Sequence, residues 1–285
     1  MKQVAVQGIA GCYHEQAARD YFSGEEIEIV ECKSFPKLFS ALKADESLLG
    51  IMAIENTIAG ALLQNHELLR QSNMRVIGEQ KIRIEHTLAI LPSDELEDIV
   101  EVNSHPIALM QCQAWLQNHD TIKVVERGDT ASSAEEIARL KLHGHAAICG
   151  EFAANLYGLK ILEKGIETNK RNFTRFLVLA PADRAEAMID RTKINKASIV
   201  FTLEHSSGAL SKVLTILSFY DLNLSKIQSM PLIGREWEYQ FYIDLTFPSY
   251  ERYLQAIEAI RPLTNYLKSL GEYIRCNNPG EQAPF

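Results

Sequence analysis

The stretch Asn172-Phe173-Thr174-Arg175-Phe176-Leu177-Val178-Leu179-Ala180, closed by Pro181, decides how the chain divides. Phe176 to Ala180 is an unbroken apolar run, too short for an ordinary helix, so it reads as a strand buried on both faces of a sheet. Thr174 and Arg175 then fall where that strand meets a loop. Two readings of them stand side by side: a β-former next to an edge cation, or a hydroxyl and a guanidinium at the mouth of a site. The residues before this stretch build a cleft, and those after it build a separate module.

Working outward, 285 residues with 46% hydrophobic content suffice for two domains with a core each. A net charge of −8 argues against nucleic acid or an anionic membrane as the main partner, since either requires a basic surface. An acidic protein that binds an anion must gather its positive groups locally. Cys12, Cys32, Cys112, Cys149 and Cys276 are odd in number, scattered, and without a CxxC pair, which fits free thiols in a reducing compartment. The N-terminal apolar segment is interrupted by Gln3 and Gln7, so no signal peptide and no membrane span are expected, and the expected location is cytoplasmic.

Before Asn172 the chain alternates strands and helices. Gln3 to Gln7 reads as a strand, Gly8-Ile9-Ala10-Gly11 as a turn offering free amides, and His14 to Phe22 as a helix. Ile27 to Glu31 and Leu49 to Ile54 read as strands around a helix from Phe35 to Asp45, and a helix from Gly60 to Gln71 comes next. Such alternation implies a mainly parallel sheet whose ligands lie beyond the carboxyl ends of its strands, which makes Gly11, Glu55 and Asn56 cleft candidates. Two extended segments between Arg75 and Leu91 read as crossings into a second α/β lobe. There Ile99 to Asn103, Ile122 to Glu126 and His145 to Cys149 are strands, and Pro106 to Gln117 and Thr130 to Leu142 are helices. Ser104 and Asp129 read as N-caps, or as marking helix starts turned toward the cleft. Leu159 to Gly165 crosses back.

Past Pro181 a charged segment to Lys196 reads as a linker. Strand Ala197–Leu203, helix Ala209–Tyr220, strands Leu224–Leu232 and Glu238–Phe247, helix Tyr250–Arg261 and strand Tyr273–Cys276 then spell a β-α-β-β-α-β ferredoxin-like order. Asn277 to Phe285 reads as a frayed tail. The chain contains no GxSxG, HExxH or GxGxxG after a strand, and no zinc-ligand spacing, so no metal is expected. His143-Gly144-His145 is the nearest approach to a metal pair, and it sits at a helix end where histidines also favour the helix dipole.

Five segments in order carry a resemblance that covers nearly the whole chain. They are Gly8-Ile9-Ala10-Gly11 with Glu15-Gln16-Ala17-Ala18, Ile54 to Gly60, Ser104-His105-Pro106 with Gln111-Cys112, Asp129 to Ala134, and Asn172-Phe173-Thr174-Arg175-Phe176. Together they resemble prephenate dehydratase of the monofunctional bacterial form with a C-terminal ACT domain. The resemblance implies an α/β fold with a two-lobed catalytic part like a type II periplasmic binding protein, plus a ferredoxin-like ACT regulatory domain. It places the catalytic part at 1–182 (one lobe about 1–75 and 166–182, the other about 76–165), a linker at 183–195, the ACT domain at 196–277 and a tail at 278–285.

It further implies a hydro-lyase that converts prephenate to phenylpyruvate, water and carbon dioxide without a cofactor. Thr174 would be the catalytic donor, with Asn56, Ser104 and Gln111 orienting substrate and Glu55 and Thr130 shaping the site. Arg175 would hold a substrate carboxylate or make a structural pair. Where relatives carry a hydroxyl after the glycine turn, Cys12-Tyr13-His14 presents an imidazole. His14 either opens the helix or serves as a donor, even an acid near neutral pH.

In the ACT part, Gly208-Ala209-Leu210 and Asn223-Leu224 resemble the segments that bind L-phenylalanine between paired copies. This implies feedback regulation and a homodimer or homotetramer. Gln228 and Met230 replace charged residues of the family's effector segment, which leaves phenylalanine regulation open. Two alternatives to the main reading stand: an arogenate dehydratase, or a two-lobed small-molecule binding or regulatory protein without chemistry.

Overall fold

The computed structural model describes residues 1–232 and 238–276. The expected tail and the last residue of the expected ACT domain lie outside the described residues. The chain forms two compact units, one of Met1–Gly60 with Lys81–Phe176 and one of Ala61–Gln80 with Leu177–Phe285.

The opening strand and helix are β1 (Lys2–Gln7) and α1 (Tyr13–Tyr21), followed by β2 (Ile27–Cys32), α2 (Phe35–Ala44) and β3 (Leu49–Asn56). β1 pairs in parallel with β2 and with β3. Local chemistry explains the helix starts. Ser34 accepts from the Lys37 amide to cap α2, while Gly11, at φ +87°, lies where an added Cβ would stand 3.0 Å from the Ala153 backbone. Glycine is therefore required by both backbone angle and close approach.

The expected helix from Gly60 starts later, because Gly60 and Ala61 form the short strand β4 and the helix is α3 (Leu63–Gln71). The crossings are β5 (Met74–Arg83) and β6 (Thr87–Ile90). The second lobe then runs β7 (Glu101–Ser104), α4 (Pro106–Gln111), α5 (Gln113–Gln117), β8 (Lys123–Glu126), α6 (Thr130–Leu140), β9 (His145–Cys149), α7 (Glu151–Leu156) and β10 (Lys160–Lys164). The helix expected as one piece from Pro106 breaks at Cys112, whose amide bonds both the Ala108 and Leu109 carbonyls.

This sheet has the order β10-β6-β9-β7-β8. β7 is parallel to β8 and β9, as expected, but β6 runs antiparallel to β9 and β10. Leu88, Ile90, Val102, Ala146 and Ile148 pack under α4 and α5 with Leu109 and Trp115 as the core. Finally β11 (Phe173–Pro181) is buried continuously from Arg175 onward, and the first sheet has the order β2-β1-β3-β11-β5. β11 starts at Phe173, so Thr174 and Arg175 belong to the strand itself.

The segment expected as a linker contains a short helix, α8 (Ala182–Ala185), and a 3-10 turn at Glu186–Met188. The C-terminal module is β12 (Lys196–Thr202), α9 (Ala209–Phe219), β13 (Asn223–Pro231), β14 (Tyr239–Thr246), α10 (Tyr250–Ile260) and β15 (Tyr266–Tyr273). Its antiparallel sheet, in the order β13-β14-β12-β15, packs Ile199, Phe201 and Ile243 against Val213, Leu217, Tyr253 and Ile260. The last strand lies at Tyr266–Tyr273, earlier than the expected Tyr273–Cys276.

The other face of this sheet meets α3 and the start of β5. An added Cβ on Gly271 would overlap the Val76 backbone, so β15 passes too close to β5 for any side chain there. Glu67 of α3 is the polar centre of the contact: it accepts from Arg70 and Gln71, from Gln240 Nε2 at 2.9 Å and from Tyr242 Oη at 2.9 Å. The Arg70 bond first, then those from Gln240, Tyr242 and Gln71, hold its carboxyl down from 4.5 to about 2 against the opposing effect of burial.

Because the folded value lies below the unfolded one, this contribution is complete above pH 4.5 and is lost as pH falls toward about 2. Glu67→Gln is expected to flatten the stability curve in that window, read by urea unfolding at stepped pH. An unchanged acid limb would contradict it.

Candidate active site

At the carboxyl ends of β3 and the first turn of β11, within the first unit, Asn56 organises a set of polar side chains. Its Oδ1 accepts from two backbone amides, Ile58 at 2.9 Å and Ala59 at 2.8 Å. Its Nδ2 therefore faces the other way, 2.8 Å from Asn172 Oδ1 and 3.0 Å from Thr174 Oγ1. Thr174 thus accepts through its oxygen, and its own proton has no acceptor among the described residues.

Asn172, fully buried, donates through Nδ2 to Gln111 Oε1 at 2.8 Å, and the same oxygen faces His86 Nε2 at 2.9 Å. His86 is 2% exposed. Its backbone amide donates to Glu167, and the Tyr13 hydroxyl lies 2.9 Å from the Glu85 carbonyl and 3.3 Å from His86 Nδ1. Burial pulls the His86 imidazole below its ordinary 6.5 despite the raising effects of Gln111 and Glu167, and it pushes the Tyr13 phenol up. Both are neutral near neutral pH.

The structure brings Thr174, Asn56 and Gln111 into one hydrogen-bonded group through Asn172, and the hydrogen bonds of the other expected site residues go to other partners. Ser104 is fully buried, with its hydroxyl donating to the Ile148 carbonyl at 2.5 Å, and it is not the cap of α4. That position is His105, whose Nδ1 accepts from the Ile107 amide. Asp129 does cap α6, accepting from the Ser132 amide at 2.7 Å, and Thr130 follows it as the first helical residue. Both helix starts are thus closed by side chains of their own. Arg175 is buried with Nη1 2.9 Å from Glu55 Oε1, so the guanidinium and Glu55 form an ion pair.

His14 is corrected as an acid. Burial pulls it down to about 3, and its ring sits edge-on to Phe35 and Phe176. Its Nε2 accepts from the Ala53 amide at 3.3 Å, which puts the ring proton on Nδ1 and leaves His14 a neutral donor. The turn before it is not an open anion cradle either, because the Ala10 amide donates to Glu31 and the Gly11 amide to Glu15.

His143 bonds Asp94 and His145 faces Glu101, so the two histidines do not converge. Among the described residues no cluster of His, Cys, Asp or Glu is placed to hold a metal. No described helix is long and apolar enough to cross a membrane. Burial pushes the thiols of Cys12, Cys112 and Cys149 up to about 12, which leaves them inert as nucleophiles.

Sequence reading missed Asn172, His86 and Tyr13 as site residues. Asn172 stood two residues from Thr174, but His86 lay in a segment read only as a crossing. In the C-terminal module Ala209 and Leu210 line a cavity of about 110 Å³ with His205, Tyr239 and Phe241, and Gly208 at φ +77° starts the helix beside it. Asn223 and Leu224 pair with the far end of β14 at Thr246 and Leu245. Seven strand residues at about 3.3 Å each put that end roughly 23 Å from Tyr239.

Comparison with known proteins shows the family of the chain. Residues 4–184 match the family described as prephenate dehydratase. The chain is 33% identical over 281 residues to an Arabidopsis thaliana protein named arogenate dehydratase/prephenate dehydratase 2, covering 95% of this chain and 72% of that protein. It is similar to the structure of prephenate dehydratase from Arthrobacter aurescens in complex with L-Phe, at TM-score 0.85 and 26% identity over 96% of this chain and 90% of that one. It is also similar to GqqA, described as a novel type of quorum quenching acylase, at TM-score 0.85 and 26% identity over 96% of this chain and 98% of that one.

Proposed function

We propose a mechanism on one premise: the chain belongs to the prephenate dehydratase family, hydro-lyases that convert prephenate to phenylpyruvate, water and carbon dioxide. The bond from the ring to its carboxylate breaks, carbon dioxide leaves, and the electron pair it leaves completes the aromatic ring as the C4–oxygen bond breaks. Hydroxide is the poor leaving group in this step. A donor aimed at that oxygen contributes about 10²- to 10⁴-fold, and Thr174 is that donor. The observation that carries this is the Asn56 Nδ2 bond to Thr174 Oγ1: with a donor on its oxygen and no acceptor for its proton among the described residues, the threonine has its proton available for substrate. The same bond stabilises negative charge as it develops on Oγ1. The departing oxygen takes the proton and leaves as water, and solvent restores the threonine.

Gln111 and Asn172 hold this group in place, while the Arg175–Glu55 pair and Thr130 shape its surroundings and the His14 Nδ1–H offers a further neutral donor to substrate. Acyl transfer finds less support, because the hydroxyl oxygen that would attack is bonded by an asparagine amide and not by a base.

L-phenylalanine is the effector in this reading, bound at a homodimer or homotetramer interface where the Ala209–Leu210 end of one ACT copy meets the Asn223–Leu224 end of another. The separation of these residues within one chain supports an interface site. The reaction needs no export, consistent with a cytoplasmic enzyme. The test is L-phenylalanine titrated into the purified chain, followed by calorimetry and by the rate of prephenate turnover. The expected result is a saturable heat with a matching fall in rate, the coupling lying at about 1 to 3 kcal/mol. Neither heat nor rate change at millimolar phenylalanine would remove the regulatory half of the proposal.

A further inference from the structure

Four hydrogen bonds in series fix a choice that the sequence leaves open. The two backbone amides on Asn56 Oδ1 can only donate, so Asn56 presents Nδ2 to Asn172. Asn172 must then present Oδ1 to Asn56 and Nδ2 to Gln111, and Gln111 must answer with Oε1. That oxygen only accepts, so the His86 nitrogen 2.9 Å away carries the ring proton. The other ring nitrogen lies 3.3 Å from the Tyr13 hydroxyl, whose one proton goes to the Glu85 carbonyl at 2.9 Å, so the shorter contact with Gln111 decides the tautomer. His86 is neutral, buried, and committed to one tautomer by backbone amides 27 and 28 residues away in sequence, and its own amide is pinned by Glu167.

We propose that His86, held as the Nε2–H tautomer, is a positioning residue for catalysis: it anchors the far end of the chain Gln111–Asn172–Asn56 that aims the Thr174 proton. The chain transmits orientation and not protons, since each amide between the two ends has a fixed donor and acceptor side. Loss of the Nε2–H donor leaves Gln111 Oε1 with one partner, frees the amide to turn, and removes the constraint on Asn172 and then Asn56. A displacement near 1 Å of a reacting group costs about 10²-fold. This inference rests on the reading of Thr174 as the proton donor.

The test compares His86→Leu, which removes the donor, with His86→Gln, whose Nε2–H can reach the same oxygen. Both are made in the wild-type and in the Thr174→Val background, with prephenate as substrate. His86→Leu is expected to lower kcat by about 10- to 100-fold with KM within about twofold, and His86→Gln to restore kcat to within about threefold of wild type. In the Thr174→Val background His86→Leu is expected to add less than about twofold, because the group it aims is gone.

An unchanged kcat in His86→Leu, equal losses in the Leu and Gln variants, or the same loss on both backgrounds would each overturn the proposal. A near-normal Thr174→Val would instead overturn the reading beneath it. If His86→Leu does not fold, the wild-type enzyme decides the matter: ¹⁵N NMR of the imidazole is expected to show a protonated Nε2, and a protonated Nδ1 would overturn the proposal.

Discussion

Thr174→Val is expected to lower the turnover of prephenate at least about a hundredfold while the protein stays folded. Valine matches threonine in shape and β-branching, so β11 and the packing of Phe176 are retained. What is lost is the hydroxyl that accepts from Asn56 at 3.0 Å and that, in the proposed mechanism, gives its proton to the departing oxygen. KM should change little, because a donor acting on the departing oxygen works chiefly in the transition state. Thr174→Ser keeps the hydroxyl and is expected to retain most of the activity, though with a rotamer less constrained than threonine's. Steady-state kinetics with circular dichroism as a folding control check both variants. Near-normal activity in the valine variant would remove Thr174 from the mechanism.

The second large effect is on stability. Lys196, the first residue of β12, reaches both oxygens of Glu79 at 3.0 and 2.8 Å, and the Cys276 amide adds a third donor to the same carboxylate. Lysine and glutamate side chains are 5% and 0% exposed, which makes this a desolvated pair within the second unit. Breaking such a pair from one side strands a buried charge and costs about 3–5 kcal/mol, whereas replacing both partners by apolar groups is often close to neutral. Lys196→Met is therefore expected to lower the unfolding free energy by about 3–5 kcal/mol, and adding Glu79→Leu to recover most of the loss. Urea unfolding checks this, and a single variant losing less than about 1 kcal/mol would contradict the expectation.

The legible parts of the chain are those where one physical rule dominates. The run Phe176–Ala180 reads as a buried strand because nothing in it tolerates water, and β11 is buried there throughout. Asp129 reads as a cap and caps. The β-α-β-β-α-β order is recoverable from alternation and turn residues alone.

Where expectation and structure part, a tertiary partner has overridden the local pattern. Lys268, Ser269, Gly271 and Glu272 break the apolar alternation of β15, so the strand was expected only from Tyr273. Yet Lys268 donates to the Arg70 and Ser72 carbonyls, Gly271 lies against Val76, and Glu272 accepts from Tyr250 and Tyr253. α7 is six residues long and has no capping side chain, too little for periodicity to register. His14 illustrates the same limit for charge: imidazole reads as a group that titrates near neutrality, and only its packing between Phe35 and Phe176 and its burial take it down to about 3.

The candidate site was legible in its motif-borne members and dark in its supporting ones. Thr174, Asn56 and Gln111 stand in segments with a recognisable order. His86 meets Gln111 across 25 residues, and Gln111 meets Asn172 across 61, pairings that no local pattern announces. Ser104 shows the converse: its place in a recognisable segment suggested substrate contact, whereas its hydroxyl holds the Ile148 carbonyl within the second lobe.

The most direct test of the proposed chemistry is turnover of prephenate by the purified chain at neutral pH, with phenylpyruvate and carbon dioxide both quantified without an acid step and arogenate run in parallel. The predicted result is one phenylpyruvate and one carbon dioxide for each prephenate consumed. Prephenate that binds with measurable heat and is recovered unchanged would contradict it.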